Sequence, residues 1–397
     1  MLNLSISIHE NVKNVIRYSL SIFLAAILIL VLFLGLREIH FSESSPTDVL
    51  VGVDVAYDDI PKIKETIDEV KSYTNFFVVG STGITYYLDK LTEVCQYLYD
   101  SGLQFATYTH LNISIPQAEW VSNARQKWGD QFVGLYAYDE PGGSQMDKST
   151  WNGTQILVPE ADNYTDAANK YVENMKLVLN YFLDNWNIGD FPLITSDYVL
   201  YEFDYRAGYD AVLAELAWNN SRPINVALCR GAATVRNKNW GAMITYTYDN
   251  PPYLASGTQI YSDMVTAYQN GAKYIVVFDY AKDPVTNATH GILQQQHLDA
   301  LKQFWQYIKD NPRTNDTIES RVAYILPKDY GYGFRGPDDK IWGLWEADEL
   351  ASKIWDDINT LVEQYNYGLD IIYEDTLQFN TFKYSKLIFW NGTTITN

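Results

Sequence analysis

Val49-Leu-Val-Gly-Val-Asp-Val55, then Ile60-Pro-Lys-Ile-Lys-Glu-Thr-Ile-Asp-Glu-Val70, then Phe76-Phe-Val-Val79 is the stretch that decides the fold. Its two ends are nearly unbroken apolar runs of strand length, as strands buried on both faces require. Between them Ile60, Ile63, Ile67 and Val70 fall on one face of a helix. Strand, helix and strand in that order make a parallel βαβ unit.

The unit recurs along the chain. Leu88, Leu91, Cys95 and Leu98 make the next helical stripe, and Leu103–Thr107 and Phe132–Tyr138 make two more strand-like runs, with a helix around 118–128 between them. A long helix follows with Ala168, Val172, Met175, Leu179, Phe182 and Trp186 on one face, opened by the capping candidates Thr165 and Asp166. Pro192–Ser196, Ala211–Leu216, Ala242–Thr247 and Tyr274–Phe278 complete eight runs, with helices near 224–235, 261–270 and 298–308. Tyr198–Tyr209 fits neither period. Eight alternations over ~260 residues predict an α/β fold, a (β/α)8 TIM barrel over 48–312. A doubly wound open sheet is the alternative. After Pro312 the pattern restarts over 320–397 as a small α/β domain (a partial flavodoxin-like one), with strands at 321–326, 369–373 and 387–390 and a helix at 346–365.

Ahead of the barrel, Tyr18–Leu36 is an uncharged run of nineteen residues. As a helix it is roughly 28 Å long, close to the thickness of a bilayer's hydrocarbon core. A cleaved signal peptide has a shorter apolar region and a small-residue cleavage site, whereas Arg37-Glu38-Ile39 follows directly here. The expectation is a cytoplasmic N-terminus over 1–17, a transmembrane signal-anchor at 18–36, a linker over 37–47 and an extracellular bulk. Lys13 and Arg17 on the inner flank give that orientation. Sequons at Asn112, Asn152, Asn163, Asn219, Asn287, Asn315 and Asn391 agree with an exported glycoprotein. Two cysteines, Cys95 and Cys229, read as buried free thiols in separate helices.

The chain carries a net charge of −20, and its first 37 residues hold Lys13, Arg17 and Arg37 against Glu10, so the remainder stands at −22. Such a surface repels nucleic acid, and none is expected as a partner. Gly331-Tyr-Gly-Phe-Arg-Gly336 has the spacing of a dinucleotide fingerprint, but no helix opens at its third glycine, so no nucleotide is expected either. No His/Cys cluster has metal-ligand spacing, and no cofactor is implied.

In a barrel, chemistry sits at the C-terminal ends of the strands. Those ends carry Asp54, Tyr108 with His110, Tyr138, Asp139 with Glu140, Asp197, Glu215 with Trp218, Tyr246, Tyr248 with Asp249, and Asp279. Carboxylates and aromatic rings are the tools of glycoside hydrolysis, which needs a protonated acid and an ionised partner across one sugar. Glu140 is the expected acid, with Asp139 raising its pKa; simple capping of the next loop is the alternative role for both. Glu215 is the second carboxylate, since a charge inside Ala211–Leu216 is costly to bury without a purpose. The alternative is a helix with Glu215 in solvent. Asp249 and Asp279 are substitutes, and Asp54, Tyr108, His110, Tyr138, Trp218, Tyr246, Tyr248 and Asp279 are the expected sugar contacts.

Through Tyr138-Asp-Glu-Pro-Gly142, Glu215-Leu-Ala-Trp-Asn219 and Trp240-Gly-Ala-Met-Ile-Thr245 the chain resembles the TIM-barrel glycoside hydrolases, and more closely uncharacterised glycosidase-like surface proteins of archaea. The trailing domain resembles the one that follows the barrel in some β-galactosidase-type enzymes. In the largest such clan the acid/base glutamate follows strand four, which implies that role for Glu140. The nucleophilic glutamate there follows strand seven, where this chain has Thr247-Tyr248-Asp249 and no glutamate, so Glu215 takes that place. Two functions compete: a membrane-tethered glycosidase acting on polysaccharide or glycan, and a non-catalytic surface protein that binds carbohydrate or packs into an envelope. A carboxylate-bound metal hydrolase is a third.

Overall fold

The structure, a computed structural model, describes residues 48–109, 115–148, 157–184, 191–248, 252–280, 291–313, 321–378 and 381–396. Among these no helix is long and apolar enough to cross a membrane. The expected anchor at 18–36 lies outside the described residues.

Eight parallel strands close into a barrel in chain order. They are β1 (Leu50–Ala56), β2 (Phe76–Val79), β3 (Gln104–Thr109), β4 (Phe132–Ala137), β5 (Leu193–Asp197), β6 (Ala211–Leu216), β7 (Asn239–Ile244) and β8 (Tyr274–Tyr280). Seven residue pairs, Leu50↔Tyr274 through Ala56↔Tyr280, seal β1 to β8. The open-sheet alternative is thereby replaced.

Alternation sorts each strand into two faces. Leu50, Phe76, Val78, Ala106, Tyr136, Ile194, Ala211, Leu213, Met243 and Val276 pack together inside the barrel. Val51, Val53, Phe77, Leu193, Val212, Ile244 and Val277 pack outward against the helices. The same parity places Asp54, Ser196 and Glu215 inward and Asp197 and Asp279 outward. Cys95 and Cys229 are buried and free.

A second sheet has four strands in the order β10-β9-β11-β12. These are β9 (Arg321–Leu326), β10 (Leu369–Tyr373), β11 (Tyr384–Phe389) and the antiparallel β12 (Thr394–Thr396). The last strand was not expected from sequence: three exposed residues carry no burial pattern. Barrel and second sheet form one compact unit from Thr47 onward. The barrel helix Arg222–Arg236 docks against β10, where Gly231 lets the backbones meet; a Cβ there would come 2.6 Å from the Ile371 carbonyl oxygen. Beside it the buried Arg230 donates to Asp370 (2.7 Å) and to the carbonyls of Tyr367 and Leu369 (2.8 Å each). Arg321 and the Tyr384 hydroxyl fill the other Asp370 oxygen. A buried charge is tolerable when every lone pair is met in this way.

The loop between β9 and the helix Glu349–Tyr365 reaches back over the barrel. Trp342 is fully buried against Tyr171 and Phe203, and its carbonyl accepts from the Gln145 amide (2.9 Å). Arg335 pairs with Asp147 (2.6 Å). The loop is clamped in this way onto the segment that follows β4. Two glycines of this loop serve the chain's own side chains: a Cβ on Gly331 would lie 2.4 Å from the Trp342 ring, and one on Gly333 2.1 Å from Asp339 Oδ2.

Candidate active site

Five non-glycine residues with positive φ stand in the loops after consecutive strands: Tyr138 and Glu140 after β4, Leu200 after β5, Trp218 after β6 and Tyr253 after β7. Each left-handed residue costs on the order of 1 kcal/mol or more, and such strain concentrates where a side chain must be aimed. At Glu140 (φ 48°, ψ 53°) the chain turns sharply from β4 into the short helix Pro141–Asp147. Its N–H donates to the Ser196 carbonyl (3.2 Å), and its carbonyl accepts from the Ser144 N–H (2.8 Å). Pro141 suits the first helical position because its missing N–H has no partner to lose. Asp197, pointing outward at the end of β5, accepts from the N–H groups of Gly142 (2.5 Å) and Gly143 (2.9 Å). A Cβ on Gly142 would sit 2.8 Å from Asp197 Oδ2, so the glycine admits the carboxylate.

Glu140 is thus aimed at Glu215, which rises from β6 inside the barrel and is 2% exposed. The two side chains lie within hydrogen-bonding reach of each other. Glu215 Oε1 accepts from Ser196 Oγ at 2.6 Å. Its Oε2 is buried and meets no donor among the described residues with both acids ionised; a proton shared with Glu140 supplies one. Burial, then the charge of Asp139, pushes Glu215 up to about 8, against the pull of Ser196 and Glu140. Burial, then the charges of Glu215 and Asp139, holds Glu140 well above the usual carboxylate range. Two touching carboxyls that share one proton titrate as a pair.

Asp139 takes the Tyr136 hydroxyl at 2.5 Å. Crowding by protein pushes it upward while the Tyr136 and Ser196 hydroxyls pull it down. As a residue Asp139 is exposed, whereas Glu215 is buried. Asp54 is buried on the inner face of β1, and its Oδ1 meets no donor among the described residues. Burial, then the charges of Asp139 and Asp279, raises it well above normal. Gly80 at the end of β2 makes its space, since a Cβ would fall 2.2 Å from Oδ1. The Tyr108 ring leans on Tyr136 at 5.7 Å, beside Asp139.

Trp218 and Tyr248 are exposed on the rim. Tyr198 stands edge-on to Trp218 at 6.2 Å, and Tyr246 contacts the rings of Tyr253, Phe278 and Tyr280.

Two expected sugar contacts are placed elsewhere. Asp279 faces outward and anchors the returning loop through the Leu293 N–H (3.1 Å), with burial pushing it up to about 6. Tyr138 is 1% exposed and belongs to the outer core. At Asp279 the alternation that puts Val277 outside turns the side chain away, whereas at Tyr138, just past the end of β4, a positive φ of 55° breaks the alternation that would have carried it inside with Tyr136. His110 and Asp249 lie outside the described residues. Ser196 and Tyr136 were not anticipated, although the period that puts Ile194 inside puts Ser196 there too.

No protein-family profile matches the chain, and no curated protein does. Solved structures that align with it include the Bacillus subtilis mannanase BCman, at 11% identity over 60% of this chain and 82% of that one (TM-score 0.37). The GH1 β-glucosidase of Exiguobacterium antarcticum B7 aligns at 9% identity over 66% and 98% (TM-score 0.39). The β-methylaspartase of Clostridium tetanomorphum aligns at 12% identity over 66% and 58% (TM-score 0.40). Likeness at this level assigns no residue and no substrate.

Proposed function

We propose that the protein is a hydrolase of glycosidic bonds, with Glu140 as the acid that protonates the leaving oxygen and Glu215 as the carboxylate opposite. The observation that carries this reading is the contact between the two glutamates at the inner mouth of the barrel. Burial and mutual repulsion keep one proton on the pair near neutral pH, which is what the acid role needs. Carboxyl groups stand roughly 5–5.5 Å apart in retaining enzymes and roughly 6.5–9.5 Å apart in inverting ones. A pair in contact lies nearer the retaining spacing, and a small rotation of the more exposed Glu140 opens it. Glu215 is then the nucleophile, and Glu140 turns from acid to base when water arrives. The exposed rings of Trp218 and Tyr248 offer flat faces to sugar C–H groups.

The substrate on this reading is an extracellular polysaccharide or glycan, and the barrel is held at the membrane by a helix over 18–36. Asn163, Asn219 and Asn391, three of the sequon asparagines, are exposed, as glycosylation outside the cell requires. Glu140→Gln keeps the shape and removes the proton. It should lower hydrolysis of aryl glycosides or of the natural glycan by about 10²- to 10⁴-fold with an unchanged near-ultraviolet circular dichroism spectrum. Turnover at the wild-type rate would sink the assignment. The rim rings also favour a second reading, a lectin-like surface protein; binding on a glycan array with no release of reducing ends from the wild type would establish it.

A further inference from the structure

Four groups are strung along the inner face of the barrel: Asp139, Tyr136, Ser196 and Glu215. Three short contacts join them: Tyr136 Oη to Asp139 Oδ1 at 2.5 Å, Tyr136 Oη to Ser196 Oγ at 2.8 Å, and Ser196 Oγ to Glu215 Oε1 at 2.6 Å; a fourth, Ser196 Oγ to Asp139 Oδ1, is long at 3.4 Å. Each of the three short distances is that of a made O–H···O bond, which holds one proton, while 3.4 Å is beyond that range. The tyrosine and the serine bring one proton each. Three bonds and two hydroxyl protons leave one proton to be found, and only the carboxyl at either end of the chain can hold it.

Two arrangements satisfy all three bonds. In one, Asp139 is protonated and donates to Tyr136, Tyr136 to Ser196, and Ser196 to an ionised Glu215. In the other, Glu215 is protonated and every bond runs the opposite way. They interconvert when the proton leaves Asp139 for the tyrosine oxygen, the tyrosine proton moves to the serine oxygen, and the serine proton moves to Glu215. One O–H bond breaks and one forms at each oxygen between, and the net charge stays constant. We propose that Tyr136 and Ser196 are a proton relay between Asp139 and Glu215, and that the buried glutamate exchanges its proton with solvent through Asp139. Exposure supports the direction, because Asp139 reaches water while Glu215 is sealed inside the barrel. The relay sets how much of Glu215 is ionised and ready to act, and in that sense it rests on the function proposed above.

The titratable groups that face the chain are Asp54 from β1, Tyr108 from β3 and Glu140 beyond β4, while the outward-pointing Asp197 of β5 and Tyr201 act on it through the barrel wall. All of them stay in place when Tyr136 is changed. Tyr136→Phe is therefore the informative variant: it removes both short bonds of the tyrosine, leaves the Ser196–Glu215 bond intact, and leaves only the 3.4 Å contact between Ser196 and Asp139. The full-length protein is titrated by infrared spectroscopy, reading the carbonyl stretch of protonated carboxyls. Asp139→Asn and Glu215→Gln assign the two bands. In the wild type the Asp139 and Glu215 bands should change together with pH. In Tyr136→Phe they should separate, with the Glu215 midpoint rising by about 0.5 to 1 pH unit as its serine donor loses polarisation from behind. Ser196→Thr in the otherwise wild-type chain, which keeps the hydroxyl that Ser196→Ala removes, should keep the coupled titration. A Glu215 band that titrates in Tyr136→Phe as in the wild type, moving only in Ser196→Ala, would overturn the relay and leave the serine a local donor. The readout needs no substrate, so a chain with a coupled titration and no glycosidase activity would sink the proposed function and keep the relay.

Discussion

Asp197 accepts from four backbone N–H groups, those of Gly142, Gly143, Tyr198 and Val199. Burial pushes it up to about 7 while these donors hold it down. Asp204 lies behind it, also fully buried, with Oδ1 on the Tyr171 hydroxyl (2.6 Å) and Oδ2 meeting no donor among the described residues. Burial and the charge of Asp197 raise Asp204 well above normal, and the two carboxyls are within hydrogen-bonding reach. A proton on Asp204 donated to Asp197 satisfies both. The asparagine variants should therefore part company. Asp197→Asn turns an NH₂ towards N–H donors and should cost about 2–3 kcal/mol in urea unfolding at neutral pH, whereas Asp204→Asn keeps a donor and should cost under about 1 kcal/mol. Equal losses would take the proton off Asp204. Glu140 and Glu215 were legible from sequence because a charge in or beside an apolar run is expensive and asks for a reason. Ser196 and Tyr136 were not, because a strand tolerates a hydroxyl on either face. Asp279 was misplaced because position at a strand end does not give the face; its parity with Val277 does.

The eight strands and most helices were legible because each element has one covered face, and the period of that face survives in the sequence. The helix Tyr201–Ala207 lost its period for a physical reason. Six of its seven residues are buried, so it shows no polar side to contrast with an apolar one. Phe203 packs on Trp342 and Tyr373, and Arg206 pairs with Asp329 (2.7 Å), all contributed by the second sheet and its loop. Only a chain whose trailing domain is already known to dock there reveals that helix. The same loop braces the segment carrying Glu140. Gly343 has φ of +64°, and a Cβ on it would lie 2.4 Å from the Gln145 carbonyl oxygen and 2.6 Å from that of Met146. Both obstacles are backbone, so Gly343→Ala must displace the helix Pro141–Asp147 or the loop. It should cost about 1–3 kcal/mol by thermal unfolding. A larger fractional loss in kcat than in KM is expected if the push reaches Glu140. A variant as stable and as active as the wild type would show that the loop yields without moving the helix.

At the scale of the whole chain, a net charge of −20 stands over an interior that itself holds acids. Glu215 is pushed up to about 8, Glu202 and Asp197 to about 7, and Asp279 to about 6, each by burial first. In the unfolded chain these groups return to about 4. Between the two values the folded protein binds more protons than the unfolded one, so stability falls as pH rises. These groups contribute their full stabilisation below pH ~4 and lose it progressively through pH 6 to 8. Exposed acids with lowered pKa, such as Asp68, Glu69 and Asp166, act in the opposite sense but are screened by solvent. Repulsion among surface carboxylates adds to the fall, but it is weakened by salt, whereas buried groups are little affected. In about 0.5 M salt the melting temperature should therefore still drop by on the order of 5 °C between pH 5.5 and pH 8.5. Glu215→Gln, neutral throughout, should remove part of that slope. A melting temperature that is flat or rises over this range in high salt would mean that Glu215 and its neighbours ionise in the folded protein as easily as in water, and neither the shared proton nor the acid role of Glu140 would survive that result.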